Sequence, residues 1–195
     1  MQLTTTFPIP AAPVLMNHRS RVLTMGSCFS ASMGARLSLL PLEVMAQPFG
    51  TLFHPFAITR ALSGYVSEEV YEQNGYFLHP DYHSVFTATT SDALLDDVRS
   101  VSTEVSNFIV ETDFLLLTWG TSFSYFDKHL NKSVANCHKM PADRFEKRLS
   151  TVNEIVENFC SLLSTLPSTT QVVLTVSPVR HTKDGMLENQ VSKST

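Results

Sequence analysis

Val22-Leu23-Thr24-Met25-Gly26-Ser27-Cys28-Phe29-Ser30 is the stretch on which the fold turns. Its first four residues form a short apolar run that Gly26 stops, which reads as a strand leaving its sheet through a tight turn. From Ser30 to Leu40, the residues Met33, Leu37 and Leu40 recur at helical spacing until Pro41 ends the pattern. A buried strand feeding an amphipathic helix opens a βαβ unit. The rest of the chain repeats that alternation. Leu42 to Ala46 reads as a second strand, closed by Gln47-Pro48-Phe49-Gly50, and Pro55 opens a helix through Leu62. Ser91 to Ile109 places Leu94, Leu95, Val98, Val101, Val105, Phe108 and Ile109 on one helical face. Phe114-Leu115-Leu116-Leu117 is a continuous apolar run, as expected of a strand covered on both sides. Residues 123–135 read as a hairpin turning near Asn131. Pro141 then leads into a helix with Phe145, Leu149, Val152, Val156, Phe159 and Leu163 on its apolar face, and Gln171 to Val176 is another β-branched strand. Strands separated by amphipathic helices predict an α/β fold with a mainly parallel sheet. The expected strand order is 2-1-3-4, with the runs at 22–25 and 114–117 adjacent in the middle.

Three stretches resist this pattern. Ser63 to Thr90 is irregular, aromatic and histidine-bearing, long for a plain connection and therefore a candidate functional loop. Residues 1–20 are Thr- and Pro-rich and read as an extended lead-in. Glu188 to Thr195 looks like the first turns of a helix without a body, so the expectation is a chain cut short on that side.

The bulk numbers narrow the function classes. With 195 residues the chain makes one domain, residues 1–195, and a hydrophobic fraction of 43% is ample for a core. A net charge of -4 argues against a basic nucleic-acid-binding face. No apolar run approaches the ~18 residues of a membrane span, and the first twenty residues contain no apolar signal-peptide core. Cys28, Cys137 and Cys160 are an odd number without metal-ligand spacing, which suits a reducing compartment. The expectation is a soluble, cytoplasmic domain with neither nucleic-acid nor membrane partners.

In a parallel sheet, ligands bind outside the carboxyl ends of the strands. The segments due there are Gly26–Ser30, Gln47–Gly50, Trp119–Ser122 and Ser177–His181. A nucleophile in the first of these would sit on a helix N-terminus, whose N–H groups stabilise a thiolate or an oxyanion. Gly50 and Gly120 would let two further backbones approach the same point. The bland alternatives are turn-punctuating glycines and a Cys28 that acts as a small buried hydrophobe. The turn is neither the G-x-S-x-G elbow nor the G-x-G-x-x-G dinucleotide loop, so spacing alone leaves the reaction open.

Met25-Gly26-Ser27-Cys28-Phe29-Ser30 closely resembles the motif that names the GSCFA domain family, with Ser30 in place of its alanine. Gln47–Leu52, Tyr82–Phe86, Leu117–Thr121, Val134–Pro141 and Val176–Gly185 resemble that family in the same order. The family is similar to the SGNH/GDSL hydrolases. That implies a flavodoxin-like three-layer α/β/α sandwich and hydrolysis or acyl transfer on acyl or acetyl esters, carbohydrate esters among them, with no cofactor. The superfamily's Gly-Asp-Ser register puts Cys28 at the nucleophile position; a shift of one residue would make it Ser27. Gly50 matches the second-block glycine of the oxyanion hole. Gly120 and Thr121 match the start of the third block, where Ser122 stands in place of an expected asparagine and Asn136 could supply the amide. The superfamily's Asp-x-x-His is not among the seven histidines here, and the resemblance implies that it, with a last helix and strand, lies beyond Thr195. Without it the 195-residue chain would be inactive unless another base served. A non-catalytic carbohydrate- or partner-binding module on the same fold is the alternative.

Among the histidines, His79-Pro80-Asp81-Tyr82-His83 has a superficial metal-clip look, but the proline spoils helical spacing and no further ligands complete it. No metal is expected. His83 and His138 are expected to line the pocket mouth or to hydrogen-bond its loops. His181, beside Arg180, is the positional candidate for a substitute base, against the alternative of loop support. Lys139, Arg144, Lys147 and Arg148 form a local basic turn that reads as a solvated helix face, with anion binding as the alternative.

Overall fold

The computed structural model describes residue 8, residues 10–179 and residues 185–195. In chain order the elements are β1 (Arg21–Gly26), α1 (Cys28–Leu37), β2 (Glu43–Ala46), α2 (Pro55–Leu62), β3 (Tyr71–Gln73), β4 (Tyr76–Leu78) and β5 (Thr87–Ala88). They continue with α3 (Ser91–Ile109), β6 (Phe114–Trp119), β7 (Phe123–Asp127), β8 (Lys132–Val134), β9 (Phe145–Leu149), α4 (Val152–Leu163), β10 (Gln171–Val176) and α5 (Gly185–Ser194). The main sheet runs β10-β6-β1-β2 with every pairing parallel, the order that the alternation of runs predicts.

Register explains why the middle strands are mostly apolar. Leu23 stands opposite Leu115 and Met25 opposite Leu117, all fully buried. They share one core with Ile58 and Leu62 of α2, Leu94, Val98 and Phe108 of α3, and Phe159 and Leu162 of α4. Each such side chain contributes roughly 1.5–3 kcal/mol by leaving water. Thr24 and Ala46 meet α1 instead: a Cβ on Gly34 would stand 2.7 Å from both Ala46 Cβ and Thr24 Oγ1. Glycine there lets the helix lie close against β1 and β2. The sheet therefore carries helices against two sets of alternating residues, as an α/β fold requires.

The stretch 141–163 differs from its sequence expectation. Phe145–Leu149 is not helix but β9, paired antiparallel with β7, which also pairs with β8 in the expected hairpin. Phe145 and Leu149 satisfy an i,i+4 helical spacing by coincidence, and the long-range ladder to β7 wins. The helix starts only at Val152, where Thr151 and Glu154 form a reciprocal capping box. The basic residues change role accordingly. Arg144 is bound to the buried Asp127, Lys147 to Glu188, and Arg148 to Glu146.

Residues 63–90 are also more ordered than expected. They hold the antiparallel sheet β3-β4-β5, turned at Asn74-Gly75 with φ of 52° and 79°. Asn-Gly between two short runs is a hairpin signal that the sequence carries in plain view.

Candidate functional site

At the carboxyl ends of β1 and β6 the backbone closes into a tight corner. Gly26 has φ +131°, and a Cβ there would stand 2.1 Å from the Thr118 carbonyl oxygen. Only glycine allows β1 to turn this close to β6. The next residue, Ser27, donates its N–H to that same carbonyl at 3.0 Å. Gln47, itself at φ 50°, holds the turn from the β2 side. Its Oε1 accepts from the Gly26 N–H at 3.1 Å, and its Nε2 donates to the Gly26 and Ser27 carbonyls at 2.9 Å each.

This geometry separates the two candidate nucleophiles. Ser27 is fully buried, and its Oγ caps α1 by accepting the Phe29 N–H at 3.3 Å. Cys28 is the first residue of α1 and its side chain is exposed. Its N–H lies where a helix has no internal acceptor and makes no hydrogen bond among the described residues.

The remaining expected residues divide into those that reach this corner and those that brace it. Gly50 (φ +71°) lets His83 pack on it, for a Cβ there would stand 2.5 Å from His83 Cβ. The Gly50 N–H, however, is donated to the Gln47 carbonyl at 2.9 Å. Gly120 and Thr121 both donate their N–H groups to the Phe53 carbonyl, at 2.7 and 3.2 Å. Ser122 donates its N–H to Ser192 Oγ and its hydroxyl to the Ser192 carbonyl, each at 2.9 Å. Asn136 Oδ1 accepts the His138 N–H, and the Ala135 and Asn136 N–H groups bind the Pro80 carbonyl. His138 Nε2 lies 2.8 Å from the His79 carbonyl oxygen, and burial pushes its pKa down. Asn136 and His138 thus brace the His79–His83 loop from behind. Arg180 and His181 lie outside the described residues.

His79 is buried and already engaged, Nε2 with the Ser67 carbonyl and Nδ1 with the Asp81 N–H. Among the described residues, no group of three His, Cys, Asp or Glu stands where it could hold a metal ion. A cleft of about 820 Å³ lies elsewhere, between α2 and α4, lined by Phe56, Arg60, Asn158 and Leu162 among others.

Two site residues have no local signature in the sequence. The first turns of a helix read at 188–195 prove to be α5, and α5 docks on the corner. Ser192 Oγ lies 2.9 Å from Thr121 Oγ1, and Lys193 Nζ donates to the Gly120 carbonyl at 2.6 Å. Lys193 is partly buried, and Cys28 is within electrostatic reach of it. Burial lowers the Lys193 pKa, and the nearby Cys28 sulfur, when charged, opposes that shift. Only tertiary packing brings these residues to β6.

Comparison with known proteins gives one match. The family model described as the GSCFA family covers residues 21–195. No curated protein and no solved structure matches the chain. Among the described residues, no helix is long and apolar enough to cross a membrane.

Proposed function

The chain belongs to the GSCFA family, and from that premise we propose that it is an SGNH-like hydrolase or acyltransferase of acyl or acetyl esters, with Cys28 as nucleophile. In this reading the parallel sheet and its helices form the SGNH-like three-layer sandwich, and the corner at Gly26 is the active site. One observation carries the choice of residue. Cys28 is exposed at the first position of α1, whereas the Ser27 hydroxyl is buried and used as the helix cap. The Cys28 thiolate attacks the acyl carbonyl and forms a thioester. The Cys28 N–H, with the helix dipole behind it, receives the negative charge that develops on oxygen. Small acyl esters, carbohydrate esters included, are the substrate class.

The binding-module reading has an observation in its favour too. The N–H groups of Gly50, Gly120, Thr121 and Ser122 are all donated within the protein, so they do not form a ready oxyanion hole. Mass spectrometry after brief exposure to p-nitrophenyl acetate decides between the two. The enzyme reading expects one acetyl group on Cys28, lost on standing in water and absent from Cys28→Ala. An unmodified Cys28 with turnover no faster than buffer supports the binding module. Acetylation of Ser27 would move the nucleophile by one residue.

A further inference from the structure

We infer that Lys193 is the catalytic base that activates Cys28, an inference that rests on Cys28 being the nucleophile. The argument begins with the strands. Gly26 pairs with Thr118, and Ser27 donates its N–H to the Thr118 carbonyl, so Cys28 leaves the sheet beside the end of β6. Gly120 lies two residues beyond Thr118. Lys193 Nζ is fixed to the Gly120 carbonyl at 2.6 Å, so its amine stands at the same corner.

The anchoring is specific. Ser192, one residue before Lys193, binds the Ser122 N–H and lies within hydrogen-bond distance of the Thr121 hydroxyl, while its own carbonyl accepts the Ser122 hydroxyl. Three polar contacts fix this turn of α5 against the β6–β7 connection. The long, flexible lysine side chain is thereby aimed rather than left to wander. A lysine amine has three substituent positions for hydrogen. One N–H is spent on Gly120, which leaves the nitrogen able to exchange a proton with a neighbour.

Lys193 also meets the chemical requirement. A lysine acts as a base only when some of it is neutral, and desolvation shifts the balance toward that form. Burial works in this direction at Lys193, and Cys28 is near enough to act on its amine. Of the other candidates, His138 is turned to the His79 carbonyl, and His54 to the Ser122 carbonyl and Ser150 hydroxyl. His83 packs on Gly50 and is the rival base.

The proton and bond balance is complete. The neutral Lys193 amine takes the proton from the Cys28 thiol as sulfur bonds to the acyl carbon. The ester C–O bond breaks, and the Lys193 ammonium returns that proton to the leaving alkoxide. Water then adds to the thioester carbon, giving its proton to the amine. The C–S bond breaks, and the thiolate recovers the proton. The net reaction is ester plus water to acid plus alcohol.

Substitutions at Lys193, Cys28 and His83, together with an added amine, test this in the full chain. The readout is the rate of Cys28 acetylation by p-nitrophenyl acetate, with circular dichroism as the check on folding. Lys193→Ala and Lys193→Arg are both expected to lose at least about 100-fold, because a positioned base contributes ~10²–10⁴ and arginine keeps the charge without giving up a proton. Added primary amines should restore acetylation in Lys193→Ala, more strongly with more basic amines, and should restore nothing in a Lys193→Ala, Cys28→Ala double variant. A lysine that merely braced α5 would show no such amine dependence. Full activity in Lys193→Arg would overturn the base assignment in favour of a fixed charge. Wild-type rates in Lys193→Ala, with loss in His83→Ala, would move the base to His83. If Cys28 in the wild-type protein is never acetylated, the nucleophile reading itself falls, an outcome separate from any effect at Lys193.

Discussion

Two regions of the molecule gather ionisable side chains, and they differ in whether those groups are already spent. Behind β7, the carboxylate of Asp127 is fully buried. It accepts from Tyr71 Oη at 2.7 Å, Arg144 Nε at 2.8 Å, and the His129 and Leu130 N–H groups. The buried Asp81 is bound in the same manner, by Arg60, by Lys132 at 2.9 Å and by Ser67. At the Gly26 corner, by contrast, Cys28 is exposed and its N–H is unengaged among the described residues. Clustering of charge is thus a poor guide to chemistry. A group whose hydrogen-bonding capacity is saturated holds the fold, whereas one left unsaturated at a strand end can meet a substrate.

The largest effect that tests this contrast is at Asp127. Burial alone would raise its pKa, but Arg144, Tyr71 and two backbone N–H groups hold it down at about 2. Asp127→Ala leaves the Arg144 guanidinium, 15% exposed, without its partner. It should cost about 3–5 kcal/mol, the usual penalty for breaking a buried pair. Urea denaturation measures it. A cost under about 1 kcal/mol would mean that the cluster is not structural, and the contrast with the Gly26 corner would collapse.

Next in size is an acid-dependent loss through His54, which lies between the two regions. Burial lowers its pKa to about 4, against a weaker raising influence of the Ser122 carbonyl. Its Nδ1 accepts the Phe56 N–H as the cap of α2, so protonation at that nitrogen must break the cap. The unfolded chain takes up this proton near pH 6.5 and the folded one near 4. Stability is therefore complete above about pH 6.5 and falls as pH drops toward 4, by up to about 3 kcal/mol for a shift of this size. Burial lowers the pKa of His79 and of His138 as well, which adds loss in the same direction. His54→Asn keeps a good cap without the titration and should flatten the curve between pH 6.5 and 4. An unchanged curve would place the acid sensitivity elsewhere.

Sequence alone reaches the four parallel strands because each is a local apolar run, and their order follows from the helices between them. It also reaches the Gly26–Cys28 corner, since a glycine after a buried strand and a helix start are adjacent residues. It misses β9 because Phe145 and Leu149 fit a helical period as well as a strand, and only the distant β7 breaks the tie. The missed β3–β4 turn is of another kind, for Asn74-Gly75 was a readable signal. Ser192 and Lys193 are out of reach of any local reading. Their role depends on the docking of α5 against Gly120, Thr121 and Ser122, some seventy residues away in the chain.

The smallest effect on stability is expected at Cys28, and it sharpens the contrast most. The Cys28 side chain is exposed, and α1 draws its cap from Ser27 and its turn from Gly26 and Gln47. Alanine is the best helix former at an exposed helical position, so nothing that holds the corner is removed. Cys28→Ala should lie within about 0.5 kcal/mol of the parent in urea denaturation, as surface substitutions usually do. The same change should abolish acetylation, while iodoacetamide still labels Cys160, which is exposed on α4 and independent of the corner. The pairing of an unaltered midpoint with a lost reaction is the signature of a group kept for chemistry. A loss near 2 kcal/mol would instead make Cys28 a structural residue like Asp127. The two regions would then be alike, and the corner would hold the fold rather than act on a substrate.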